Sequence, residues 1–354
     1  MQNKPLISII IPVYKIEEYI AHCLDSVLGQ SYENIEVICV NDQSPDGSLE
    51  ILKAYAEKDS RIKIIDKQNE GVSLARNAAL RLASGQYVMF VDGDDWIDTD
   101  TCEAALNTAQ EHDADIVLFG YMREFSGASL EKRIFEQDII LFDEHDCKNN
   151  LCRRIAGPLG QELGIPENAD ALSPVWGKLY RADLIKNNGI EFKDIRKLGT
   201  FEDGLFNLDC FYVAKSAVFI NRPFYHYRRT NAASITAVYK KDFLSQWQNL
   251  FSIIENFIRD NGCEEDFSRA LNNRIALSIL GQGFNVMASP ADTASKIKEI
   301  KKIINLPLYR QAYKNLNFSF FPLHWRVFYG FAKLRFATGV YMLLWVIKKL
   351  MERR

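Results

Sequence analysis

What most limits the fold of this chain is a series of short, mostly apolar runs separated by helix-length amphipathic stretches. Residues 6–11, 35–40, 62–65, 87–91 and 116–119 each read as a strand, the first covered on both faces and the second buried. Between the first two, Tyr19, Ile20, Cys23, Leu24, Val27 and Leu28 recur at helical spacing. Residues 49–55 and 74–82 repeat that pattern, Gly85 follows the latter as a helix stop, and Asp100 with Glu103 suggests a capping box opening a fourth helix. Strand–helix alternation with short links predicts an α/β fold, a mostly parallel sheet flanked by helices. Ligands of such sheets bind beyond the strand C-termini, so the polar residues there are where chemistry is expected.

Asp92-Gly93-Asp94-Asp95 follows directly on the run 87–91. One aspartate can cap a helix, but three in four residues repel one another unless a cation lies among them. Hard carboxylate oxygens suit Mn²⁺ or Mg²⁺. Asp-x-Asp is also ordinary turn chemistry; its place after a central parallel strand favours a metal that holds a diphosphate. Pro12-Val13-Tyr14 ends the first run, and Asn41-Asp42-Gln43-Ser44 the second, followed by Asp46-Gly47-Ser48. Asp42 can accept from the N–H edge of a pyrimidine while Tyr14 covers its face; Asp46-Gly47 equally makes a tight turn. Arg76, beyond Asn69-x-Gly71, can reach a base or phosphate, or pair at the surface. The chain has no G-x-G-x-x-G after its first run and no G-x-x-x-x-G-K-[ST]. Lacking both glycine cradles for phosphate, it does not read as a dehydrogenase or P-loop ATPase.

SIIIPVY, IEEYI, VICVNDQSPDGS, NEGVSLARNAAL, YVMFVDGDDW, VWGKLYR, FEDGLFNL and FYHYRR-x-x-x-x-S occur in this order. As a set they resemble family 2 glycosyltransferases with the Rossmann-like GT-A fold, of the bacterial surface-polysaccharide kind, over about residues 5–235. The resemblance implies inverting transfer from a nucleotide-diphospho-sugar, usually UDP-linked, to a hydroxyl of a glycan or lipid-linked oligosaccharide. It implies nucleotide contacts from Pro12, Val13, Tyr14, Asp42, Arg76 and Asp92, a metal held by Asp92 and more directly by Asp94, and a catalytic base at Asp203. Sugar or diphosphate contacts are expected from Asp95, Trp176, Lys178, Glu202, Tyr227 and Arg228, the last two with Ser234 in a loop closing over the diphosphate. Gly93 stands where the family commonly has Ser.

Several of these residues also have plainer readings. Glu202-Asp203 opens an apolar-periodic stretch (Leu205, Leu208, Phe211, Tyr212) and can simply start a helix, whose macrodipole favours the ionised form. A carboxylate there is equally suited to take the proton from an attacking hydroxyl. Trp176 fits the core as well as a sugar site. His226 is a metal ligand in some members of the fold, but the family more often has an aromatic there, so a structural role is expected.

The expected division is a catalytic domain over 1–235, its nucleotide half ending near 120 and its acceptor half near 235, then a helical region over 236–354. Residues 123–172 lose the strand–helix rhythm. Charge divides too: residues 296–354 carry 13 Lys/Arg against Glu299 and Glu352, while the preceding 295 residues carry 30 basic and 44 acidic groups. Trp325, Phe328, Tyr329, Phe331, Leu334, Phe336 and Trp345, interleaved with Arg326, Lys333, Arg335, Lys348 and Lys349, fit a helix lying on the anionic inner face of a cell membrane, or one packed on the body. No run reaches the roughly 20 apolar residues of a spanning helix. The start MQNKPLISIIIPVY reads as a strand and not a signal peptide. A basic stretch this apolar, on an acidic body, does not suggest nucleic acid. Seven scattered cysteines without C-x-x-C read as reduced, cytoplasmic thiols. Two other classes stay in view. A sugar nucleotidyltransferase would need a glycine- and lysine-bearing segment where Pro12-Val13-Tyr14 stands. A non-catalytic sugar-nucleotide binder is at odds with intact Asp92, Asp94 and Asp203.

Overall fold

The computed structural model describes residues 4–230 and 239–351, so Ser234 lies outside the described residues. The chain forms two compact units, Met1–Cys152 with Leu172–Ser234, and Arg153–Ala171 with Ile235–Arg354. The irregular stretch 123–172 is thus shared: its first part extends the sheet as two short strands, and residues 153–171 belong to the second unit.

The first unit is built on a ten-stranded sheet: β1 (Ile7–Val13), β2 (Ile35–Asp42), β3 (Ile62–Lys67), β4 (Tyr87–Phe90), β5 (Trp96–Ile97), β6 (Ile116–Phe125), β7 (Ala128–Lys132), β8 (Ile139–Phe142), β9 (Lys178–Arg181) and β10 (Ala217–Arg228). The order is β3-β2-β1-β4-β9-β6-β10-β5, with β7 on β6 and β8 on β10. β1 to β4 pair in parallel, as do β6 and β10, whereas β9 lies antiparallel between β4 and β6. The C-terminal ends of β1, β2, β4 and β10 and the start of β9 therefore share one edge. Helices α1 (Ile20–Leu28), α2 (Ser48–Ala56), α3 (Val72–Leu82) and α4 (Thr101–Glu111) follow β1, β2, β3 and β5. Ile7, Ile9 and Ile11 pack with Ile20, Cys23, Leu24 and Val27 of α1, and each such aliphatic burial stabilises by about 1.5–3 kcal/mol. The capping box expected at α4 does not form: Asp100 pairs with Arg222 at 3.0 Å and Glu103 accepts from the Ser31 hydroxyl at 2.8 Å. Gly85 is required for a reason other than helix termination, because a Cβ there would lie 2.7 Å from the Leu6 carbonyl.

In the second unit the helices Phe243–Asp260, Glu265–Leu277, Ile279–Ala288, Thr293–Asn305, Pro307–Asn315, Leu323–Lys333 and Ala337–Met351 bury Ile254, Ile304, Tyr309, Phe328 and Leu344. Of the aromatics expected on an interfacial face, Trp325, Phe328 and Tyr329 are buried, while Leu334, Phe336 and Trp345 are 77%, 50% and 51% exposed. Among the described residues no helix is long and apolar enough to cross a membrane.

Under the sheet, the Glu36 carboxylate accepts from the Ser8 and Ser84 hydroxyls, the Ser84 amide at 2.7 Å and the Lys63 ammonium. Burial pushes its pKa up, but Lys63 and the Ser8 and Ser84 donors outweigh that and hold it at about 2, below its ordinary 4.5. A depressed folded-state pKa contributes stability that is complete above about 4.5 and is lost as pH falls toward 2. Glu36→Gln is expected to destabilise the protein by about 2 kcal/mol at pH 7 and much less at pH 3, measured by urea unfolding at both.

Candidate active site

The shared strand edge is organised by one buried cation. Arg76, on the second turn of α3, is 3% exposed and donates to Asp203 Oδ1 at 2.6 Å and to Asp92 Oδ1 at 2.7 Å. Burial opposes its charge, but the Asp203 and Asp92 carboxylates outweigh that and raise its pKa. The guanidinium lies over the Phe192 ring, 5.3 Å from its centre, and Phe192 is fixed by Asn77, one residue along α3, through both its N–H and C=O at 2.9 Å. Asp203 sits in the first turn of the helix Glu202–Val213 and also accepts from the Val175 amide at 3.4 Å. Burial raises its pKa against the pull of Arg76, and burial with the neighbouring Asp203 charge pushes Glu202 up to about 7. The N-cap Phe201 holds a left-handed backbone at φ +67°, and its ring covers the first turn so closely that a Cβ on Gly204 would lie 2.2 Å away.

The Asp92–Asp95 turn is pinned from β10. The Tyr225 hydroxyl accepts from the Asp92 amide at 3.1 Å and donates to Asp95 Oδ2 at 2.7 Å, and Asp95 Oδ1 accepts from the Arg228 amide at 2.8 Å. Asp95 is 1% exposed, and burial together with Asp94 and Asp92 drives its pKa well up. Its carboxylate faces the scaffold, while Asp92 and Asp94 are half-buried. Trp176 is sandwiched between Tyr225 and Tyr227, with ring centres 4.5 and 5.3 Å away. Arg228 reaches back to the Asp94 carbonyl at 2.7 Å and lies over the rings of Trp96 and Tyr19. His226 stacks on Trp96 at 5.0 Å, with Glu124 at Nδ1 (2.7 Å) and Asp98 at Nε2 (3.0 Å). Lys178 is buried, donates to the Pro174 carbonyl, and has its pKa lowered to about 7 by burial.

The other strand ends carry the residues expected around a base. Pro12 and Val13 close β1, and Tyr14 is 44% exposed at its end. Asp42, the last residue of β2, accepts from the Gly71 amide at 2.7 Å and from the Glu70 amide and Lys67 ammonium at 3.0 Å, tying down the loop ahead of α3. Asp46 accepts from the Ser48 amide at 3.2 Å and the Glu17 amide at 3.1 Å, which is turn chemistry. The residues that sequence patterning missed are Tyr225, Phe192, Asn207 and Phe201. Asn207 accepts from Tyr180 at 2.8 Å and donates to the Ser173 and Pro174 carbonyls, holding the segment that offers the Val175 amide. Tyr225 and Tyr227, two apart on β10, share a face against Trp176, a spacing that marks packing but says nothing of the Tyr225 hydroxyl.

Among the described residues, no three His, Cys, Asp or Glu side chains gather to hold an ion unaided. Asp92 and Asp94 supply two hard oxygen donors, a set that fits a cation whose remaining ligands are substrate phosphate and water.

Residues 8–156 match the model for glycosyl transferase family 2. The uncharacterized glycosyltransferase EpsJ of Bacillus subtilis is 30% identical over 356 residues, covering 99% of this chain and 96% of EpsJ. The chain belongs to glycosyl transferase family 2. Its GT-A fold is shared with Staphylococcus aureus TarS 1–349 in complex with UDP-GlcNAc (TM-score 0.67, 21% identity, 97% of this chain and 91% of that one). It is also shared with the mannosyltransferase PcManGT of Pyrobaculum calidifontis in complex with GDP-Man and Mn²⁺ (TM-score 0.53, 16% identity, 100% and 89%). Membership sets nucleotidyl transfer aside: this is a glycosyltransferase. Tyr225→Phe in this glycosyltransferase leaves the buried Asp95 carboxylate and the Asp92 amide each short of a partner. It is expected to cost about 2–4 kcal/mol in chemical denaturation and to lower the melting temperature.

Proposed function

We propose that the glycosyltransferase catalyses inverting transfer of a sugar from a UDP-sugar to a hydroxyl of a glycan or lipid-linked acceptor in surface-polysaccharide synthesis, with Asp203 as base. The observation that carries this reading is the Asp92–Arg76–Asp203 chain, which sets a carboxylate at a helix N-terminus across one guanidinium from the carboxylate after β4. Asp203 takes the acceptor proton as the hydroxyl oxygen bonds to the anomeric carbon and the bond to the diphosphate breaks on the opposite side. Its raised pKa suits a base working near neutrality, and burial with the Asp203 charge lifts the neighbouring Glu202 as well. Asp92 and Asp94 would hold Mn²⁺ or Mg²⁺, which supplies neutralisation of charge on the departing diphosphate; PcManGT is known with Mn²⁺. Tyr14 and Asp42 are assigned to the uracil, with Pro12 and Val13 shaping that edge, and Trp176 and Tyr227 to one wall of the sugar site. Asp95, Lys178 and Arg228 are assigned as positioning residues for the Asp92–Asp95 turn and the segment before β9. His226 is assigned a structural role by its two carboxylate partners.

The tail supports seating at an anionic membrane surface: Leu334, Phe336 and Trp345 are exposed beside Arg335, Lys348 and Lys349, an arrangement suited to an interface and not to nucleic acid. The intact protein is expected to float with phosphatidylglycerol vesicles, and Phe336→Ser/Trp345→Ser to stay in the dense fraction while remaining folded. Recovery of the wild type in the dense fraction would remove the membrane from this reading.

Asp203→Asn is expected to lower kcat by about 10²–10⁴-fold while UDP affinity, measured by titration calorimetry, changes by less than about threefold. Normal transfer by that variant would reject Asp203 as base. In the wild type the acid limb of kcat/KM is expected at higher pH than an ordinary aspartate gives, because burial raises the pKa of Asp203.

A further inference from the structure

The second unit carries a hollow of about 470 Å³ that the transfer reaction does not use. One wall is a single face of the helix Pro307–Asn315, where Pro307, Arg310, Gln311 and Lys314 recur at the helical spacing of three and four. Tyr309 and Ala312 bury the far side of that helix, and the buried Tyr313 closes the floor of the hollow with Ile304 and Ala332. The other wall is the end of the helix Leu323–Lys333 and the turn after it, which contribute Lys333 and Arg335. No Asp or Glu lines the hollow, and among the described residues none of these four cations enters an ion pair.

We propose that this hollow binds the phosphate group of a phosphate-bearing ligand. Arg310 and Lys314 are like charges one turn apart, an arrangement that destabilises a helix unless an anion lies against it. The helix macrodipole accounts for Lys314 and Lys333, each in a last turn, but not for Arg310 a turn earlier or for Arg335 beyond the helix end. Arg335 holds a left-handed backbone at φ +59°, a strained conformation for a side chain of its size and one that a glycine would adopt freely. This is the left-handed end of the helix, closed by the Arg335 and Phe336 amides donating to the Ala332 and Phe331 carbonyls at 3.0 and 2.9 Å, and it puts Arg335 on the wall of the hollow. Two guanidinium forks and the Lys314 ammonium match a phosphate, which accepts bidentate bonds from arginine and point-charge contacts from lysine, while Lys333, its ammonium 4.9 Å from the centre of the Phe318 ring, adds charge at the rim. The volume admits the phosphate with the glycerol or sugar it esterifies. The phosphate can come from a lipid headgroup or from a soluble phosphate ester; the recognising chemistry is the same.

Inorganic phosphate, titrated into the full chain at constant ionic strength with chloride as the balancing anion, is expected to raise the melting temperature. In the triple variant Arg310→Gln/Lys314→Gln/Arg335→Gln the apparent affinity is expected to fall at least about tenfold, the loss of more than one charge-assisted contact. All three positions are exposed and lie outside the catalytic unit, so comparison with this variant removes any phosphate held at Arg76 or Arg228. Arg335→Gly is expected to melt at higher temperature than the wild type yet bind phosphate less tightly. A purely structural arginine would not separate the two readouts in that way. Phosphatidylglycerol vesicles and soluble glycerol phosphate then distinguish the sources. Flotation lost in the triple variant assigns a lipid headgroup, and glycerol-phosphate affinity lost with flotation intact assigns a soluble ester. The proposal is overturned if the triple variant responds to phosphate as the wild type does, or if chloride serves as well as phosphate.

Discussion

A single guanidinium makes this site possible. Asp92 and Asp203 stand 111 residues apart in the chain, and each is drawn to Arg76, which is itself nearly sealed from water. An ion so buried is tolerable only with its partners in place, and removing one partner of a buried pair typically costs about 3–5 kcal/mol. Around it, Phe192 under the guanidinium, Asn77 on Phe192 and Asn207 under the 173–175 segment hold the geometry. Two carboxylates sharing one cation also leave the site poised: anything charged that approaches Asp92 competes with Arg76, and Asp203 feels the change through the same group. Proton affinity at one end of the chain is thereby tied to occupancy at the other.

The strand–helix alternation of the first 120 residues was legible because those strands are mostly apolar, β1 and β4 nearly throughout, and the links between them are short. The residues at or just beyond their ends, Tyr14, Asp42, Asp92 and Asp94, were legible for the same reason, since topology dictates which edge they occupy, whereas Arg76 was found from its place on the helix after β3. What periodicity could not supply is pairing between distant segments. That β9 enters the sheet antiparallel between β4 and β6 depends on long-range packing, as does the division of residues 123–172 between the two units. Tyr225 carries no charge and sits amid other aromatics, so nothing local marks its hydroxyl as the anchor of the Asp92–Asp95 turn. Charge patterning likewise could not separate Asp95 from Asp92 and Asp94. Three neighbouring carboxylates look alike until a tyrosine and an amide claim one of them.

The two units illustrate different uses of charge. In the first, Asp92, Asp203, Asp95 and Asp42 at the strand edge are answered at short range, by Arg76, by Tyr225, by Lys67 or by backbone amides. In the second, Arg259, Arg269 and Lys302 have acidic partners, but among the described residues the exposed cations Arg310, Lys314, Lys333 and Arg335 around the hollow enter no ion pair. The first pattern fixes geometry to within a hydrogen bond; the second attracts anions over several ångströms and is weakened by salt.

The reversed placement of β9 has a consequence for how the chain is assembled. β4 and β6 do not touch each other; each is completed only when Lys178–Arg181 slides between them, and β6 gains its other neighbour only with residues 217–228. A ribosome that has released the first 120 residues has therefore released β1 to β4, but with β4 open on one side. That edge stays unpaired until some sixty further residues emerge, a delay long enough on the scale of chain elongation to expose it to other chains. The insertion that brings Trp176 and Lys178 to the site thus also makes the sheet late to close.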